Sequence, residues 1–162
     1  MTNRPIRRVL VAWDASPSAL EAVQAAVELA ARHAAALTGL WVEEAEREGW
    51  WSAARGPGGI VIPAGSVAGV CAARGREAIE RAAALHRLAW SFRVERGEPT
   101  EKILAAAAEH DVVALGRSGW SRHPAHRLGK TAAALLASSR GVLIPFDRDR
   151  VRALLLLFGA EE

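Results

Sequence analysis

The chain of 162 residues has one cysteine, Cys71, which excludes an intrachain disulfide and a zinc cluster built on cysteines. Cys71 reads as a small residue within a helix. No apolar run approaches the roughly 18 residues of a membrane-spanning helix. The first apolar run, residues 9–13, is too short for a secretory leader and stops at Asp14. A cytoplasmic protein is the expectation. Strong charge imbalance is also missing: the formal net charge is +3, and the 19 Arg and 2 Lys are dispersed except in one loop. That is not the footprint of a nucleic-acid binder. Apolar residues make up 51%, too many for a disordered chain, and the length suits one domain with a sizeable core.

The most telling absence is local. Between Asp111 and Asp147 there is no acidic residue, while Arg117, Arg122, Arg127, Lys130 and Arg140 fall there with His123 and His126. The interval reads VVALG, RSGWSRHPAHRLGKT, AAALLASSRG, VLIPF: a strand, a loop punctuated by glycine, a helix and a second strand. Both strands are near-continuous apolar runs, as in parallel sheets covered on two faces. The loop leaves the carboxyl end of its strand, where open α/β sheets bind ligands. A basic loop running into a helix N-terminus is suited to an anion. Gly129-Lys130-Thr131 imitates the end of a P-loop, but position 124 is Pro where that pattern needs Gly.

The rest of the chain alternates in the same way. Residues 6–13 form a buried strand. Asp14-Ala15-Ser16-Pro17 turns into a helix, with Pro17 in first position behind a Ser16 cap, or with Ser18 and Glu21 as a competing capping box. Leu20, Val23, Val27, Ala30, Ala31 and Ala34 recur at helical spacing and are expected to face the sheet. Residues 37–42 are the second strand. Residues 43–63 read as a loop carrying Trp50 and Trp51, which could lid a base, form a contact surface, or pack on the flank of the domain. Residues 66–89 read as helix, with Val70, Ala73, Ile79, Ala83 and Leu88 as its apolar stripe and Gly69 and Gly75 weakening its first half. His86 reads as a surface residue. Residues 90–96 alternate, as an edge strand or one with a solvated face does. Pro99 starts a helix whose Ile103, Leu104 and Ala107 face inward. The order argues a parallel five-stranded sheet with helices on both faces, a Rossmann-like α/β fold.

Gly116-x2-Gly119-x9-Gly129 resembles the nucleotide-binding signature of the universal stress protein family, G-x2-G-x9-G-[ST]. The strand, D-x-S turn and alanine-rich helix of the opening, and the G-x-P step at Gly97, are similar to that family as well. The resemblance implies strand order 3-2-1-4-5 and a site for ATP, ADP or AMP, with Mg²⁺ arriving on the nucleotide. It implies Asp14 beside the nucleoside, the backbone of Val42 against the base, and Gly116, Gly119 and Gly129 letting the backbone approach ribose and phosphates. Lys130 departs from the signature, standing where a small hydroxyl is expected, with Thr131 next. Lys130, Thr131 and the helix N-terminus would meet the phosphates, with Arg117 and Arg122 adding charge-assisted contacts. Taken singly, Asp14 is also a favoured turn residue, Val42 a core strand residue, and the glycines ordinary turn positions.

Residues 1–146 are read as this domain, and 147–162 as a charged connector and an extra strand. RALLLLFGAEE resembles RRVLVAWDAS at an offset of 145 residues, placing Phe158 on Trp13 and Gly159 on Asp14. Tandem forms exist in the family, so the expectation is the start of a second copy; the alternative is an added strand of a one-domain protein. The apolar stretch 153–158 must pair with a sheet edge, in cis or in a partner. A homodimer through residues 142–146 or this tail is expected.

Binding rather than turnover is expected, with slow ATP hydrolysis at most. Ser118, Ser121 and His123 have no visible orienting group or oxyanion site. Three readings follow: a nucleotide-binding stress-response regulator, a dimerising interaction module of the same family that has lost nucleotide, and a nucleotidyl or phosphoryl transferase. The absence of an acid on the loop speaks against the third.

Overall fold

The protein is described by a computed structural model covering residues 5–44, 64–116, 129–138, 141–144 and 154–156. The elements run β1 (Arg8–Trp13), α1 (Pro17–His33), β2 (Ala36–Glu43), α2 (Ala64–Leu85), β3 (Trp90–Arg96), α3 (Pro99–Ala107), β4 (Val112–Leu115), α4 (Lys130–Ala137), β5 (Gly141–Ile144) and β6 (Leu154–Leu156). The sheet order is β3-β2-β1-β4-β5-β6. The first five strands are parallel, in the expected order 3-2-1-4-5. β6 lies antiparallel on β5, pairing Val142 with Leu156 and Ile144 with Leu154, so the added strand covers that edge in cis. No helix among the described residues is long and apolar enough to cross a membrane.

Alternation along the strands divides the core in two. Val9, Val11 and Trp13 of β1 join Leu37, Val112 and Ala114 beneath α1 and α2. Leu10, Ala12, Leu40, Val113, Leu115 and Val142 join Ile103, Ala106, Ala107, Ala132 and Leu135 of α3 and α4 on the other face. β4 is buried at every position, which explains its unbroken apolar run. Among the described residues β3 pairs only with β2, and its Val94 is exposed, as an edge strand allows.

Two stripes differ from expectation. On α1 the packed face is Ala19, Ala22, Val23, Ala26, Val27 and Ala30, whereas Leu20 is 51% exposed and Ala34 is an exposed C-cap at φ 50°. Each residue turns the helix by about 100°, so a face centred on the small Ala19, Ala26 and Ala30 leaves Leu20 at its margin. On α2, Ile79 and Ala83 are buried and Leu88 packs beside them, but Val70 and Ala73 are exposed. At its middle, α2 instead meets the sheet through Gly75. A Cβ there would lie 2.4–2.8 Å from three atoms of the Trp13 indole. Trp13 Nε1–H donates to the Cys71 carbonyl at 2.9 Å. Gly75 therefore makes room for a large ring, at a helix cost of about 1 kcal/mol.

Candidate functional site

All five parallel strands end on one edge. β2 lies on one side of β1, and the chain crosses to the other side for β4 and β5. The strand order therefore reverses between β1 and β4, the position where open α/β sheets have their ligand crevice. Asp14 follows β1 and Gly116 follows β4.

Asp14 is half-buried, and its Oδ1 accepts the Ser16 N–H at 2.9 Å, closing an Asx turn around Ala15 at φ 60°. Ser16, not Ser18, caps α1: its Oγ accepts the Ala19 N–H at 3.2 Å and lies 3.0 Å from Ser18 Oγ. Gly116 abuts this turn. A Cβ on it would come within 2.4 Å of Ser18 Oγ, 2.9 Å of the Ser18 carbonyl carbon and 3.0 Å of the Ala19 nitrogen. The end of β4 is thus packed against the backbone of the first turn of α1, and a side chain at 116 would have to displace it.

Val42 sits one residue from the end of β2, half-buried against the α3–α4 face, in register with Glu95. Gly129 is the N-cap of α4, at φ −65° and ψ 161°, and supplies no side-chain hydrogen bond. Its conformation is open to any residue. What glycine changes here is the absence of a cap on the first-turn N–H groups. Lys130 is exposed, with Nζ 3.9 Å from Glu98 Oε1. Thr131 Oγ1 lies 3.1 Å from Thr100 Oγ1 of α3. Arg117, Gly119 and Arg122, with Ser118, Ser121, His123, Trp50 and Trp51, lie outside the described residues.

The structure thus brings Asp14 and Gly116 to one junction, and Lys130 and Thr131 to a second, between the starts of α3 and α4. Glu98 and Thr100 at that second junction were missed in the sequence. Glu98 is the N-cap of α3, its Oε2 accepting the Glu101 N–H at 2.8 Å. The preceding Gly97 is at φ 142°, with its N–H donating to the Glu43 carbonyl, which ties the ends of β2 and β3. The available signal was topological: in a parallel sheet every strand-to-helix turn reaches the same edge, so the G-x-P step belonged there too. Among the described residues, the buried Trp41 indole N–H, beside Trp13 in register, has no hydrogen-bond partner. Among the described residues no group of three or more His, Cys, Asp or Glu could hold a metal ion.

Several solved structures share this fold. The universal stress protein UspA from Lactobacillus plantarum is 23% identical with TM-score 0.64, over 88% of this chain and 99% of that one. A universal stress protein in complex with cAMP is 24% identical with TM-score 0.59, over 86% and 96%. One from Archaeoglobus fulgidus is 17% identical with TM-score 0.61, over 89% of this chain and 51% of that one. No curated protein sequence matches significantly. The universal stress protein family model matches residues 5–144, and by that match the chain belongs to the universal stress protein family.

Proposed function

We propose that the chain is a cytoplasmic stress-response regulator that binds an adenine nucleotide, ATP or its mono- or diphosphate, at the β1–β4 reversal. The observation that carries this reading is the convergence of Asp14 and Gly116 there, with a glycine-capped helix opening after β4. Asp14 and Val42 take the nucleoside. Gly116, Gly119 and Gly129 admit the backbone to ribose and phosphates. Lys130 and Thr131, with Arg117, contact the phosphates. Mg²⁺ arrives with the nucleotide, since it commonly uses phosphate oxygens and water with few protein ligands. A fold neighbour in complex with cAMP supports the adenine class. The role is occupancy rather than turnover.

One observation favours a second reading, an interaction module without nucleotide. The Thr131 hydroxyl is already within hydrogen-bond distance of Thr100, and Lys130 stands before it. Mass spectrometry of small molecules released on denaturing the purified protein separates the two: an adenine nucleotide supports the first, an empty protein the second. In either reading a second copy joins through the β5–β6 edge. β6 already pairs with the β5 backbone, which leaves β6 as the outer strand. Solution scattering is expected to give a dimer mass; a clean monomer at high concentration contradicts it. The tail is also proposed as the opening strand of a second copy of the domain.

A further inference from the structure

Three ion pairs join neighbouring elements near the carboxyl edge of the sheet: β2 with β3, β3 with α3, and the start of α3 with the start of α4. Arg96 Nε lies 2.8 Å from Glu43 Oε2, Lys102 Nζ 3.6 Å from Glu95 Oε2, and Lys130 Nζ 3.9 Å from Glu98 Oε1. The third is the longest, and its cation is the most exposed, at 87%. Exposed pairs of this kind contribute little to stability and exchange readily. Glu98 is not equally free. Its other oxygen holds the Glu101 N–H at 2.8 Å as the cap of α3. When Lys130 turns toward an arriving anion, the carboxylate stays behind as a fixed negative charge beside the start of α4.

We infer that Glu98 is a specificity-determining residue of the proposed nucleotide site, an internal counter-anion that competes for Lys130 and penalises ligands in proportion to their phosphate charge. The inference rests on the nucleotide reading for the identity of the ligand, but not for the competition itself. Like charges brought together at a site disfavour binding, and a triphosphate meets more of that repulsion than a monophosphate. A neutral nucleoside meets none. The site thereby favours ligands with little phosphate charge over ATP, against the pull of the basic loop.

The test compares the full chain with Glu98→Gln and Glu98→Ser by titration calorimetry. Both variants keep an oxygen able to cap α3, and thermal melts verify that each is folded. The ligands are ATP, AMP, adenosine and inorganic tripolyphosphate. ATP is expected to bind both variants about fivefold tighter than the unaltered chain, within the range of exposed charge contacts. AMP should gain less and adenosine nothing. Nucleotides that bind all three proteins with no gain, or with one gain shared by adenosine and ATP, overturn the inference and leave the nucleotide reading standing. A gain for tripolyphosphate with no nucleotide binding to any protein supports the competition and removes the nucleotide reading. No binding of any ligand removes both.

Discussion

α1 and α4 both start at the carboxyl edge of the sheet, yet they start differently. At α1 the chain satisfies itself: Asp14 accepts the Ser16 N–H, Ser16 accepts the Ala19 N–H, and Gly116 packs against Ser18 with no space for a side chain. At α4 the cap is a glycine without a side-chain bond, followed by an exposed lysine paired at 3.9 Å. The first junction is limited by shape and the second by charge. One is suited to holding a carboxylate and a backbone in fixed positions; the other leaves helix N–H groups for an anion.

The largest expected effect comes from placing bulk at the shape-limited junction. Gly116→Val forces branched carbons into Ser18 and Ala19. It should cost about 3 kcal/mol and lower the Tm by roughly 6–12 °C in thermal melts. A Tm within a degree of the unaltered protein would show that the junction is looser than these distances imply. At the charge-limited junction, Gly129→Asp should do the opposite. It supplies the missing cap and raises stability by a few tenths of a kcal/mol. It should also weaken ATP binding by about tenfold or more, because the new carboxylate takes the N–H groups and repels phosphate. Calorimetry beside thermal melts reads both signs, and tighter ATP binding would break the contrast.

Thr131→Val removes one partner of the Thr100 contact and should cost about 1 kcal/mol in denaturant unfolding.

The smallest effect concerns the opposite edge, where Asp111 Oδ2 accepts the Arg7 and Arg8 N–H groups and His110 is buried with Nδ1 2.8 Å from the Ala106 carbonyl. Burial pushes the His110 pKa below its usual value, and the Arg93 and Arg8 charges add to this, against the Ala106 carbonyl and Glu109. Below about pH 6.5 the unfolded chain therefore takes up a proton that the folded chain refuses. Stability falls as pH drops from that value toward the folded pKa and gains nothing from His110 above it. Urea unfolding at pH 5 and pH 8 should show this loss, and His110→Gln should reduce it. Ligand affinity should not follow the His110 substitution, since that edge is remote from the site.

The architecture was legible because buried parallel strands announce themselves as short apolar runs, and because Pro17 and Pro99 mark helix starts. The Ser16 and Ser18 alternatives at α1 were not separable from sequence, since both lie at good capping spacing. Hydrophobicity alone points Leu20 and Val70 inward, whereas alanines and Gly75 set how closely these helices approach the sheet. On the site, Asp14 and Gly116 were legible as residues at strand ends. Glu98 was not: its carboxylate reaches Lys130 from a different connection, and such a contact exists only once β3 and β4 have taken their places in the sheet.

The most direct test of the central claim is titration of ATP, with and without Mg²⁺, into the protein and into Asp14→Ala. Binding in the micromolar range is expected, abolished by Asp14→Ala while the variant stays folded. No heat from the unaltered protein, or equal affinity in Asp14→Ala, would contradict a nucleotide site at the β1–β4 reversal.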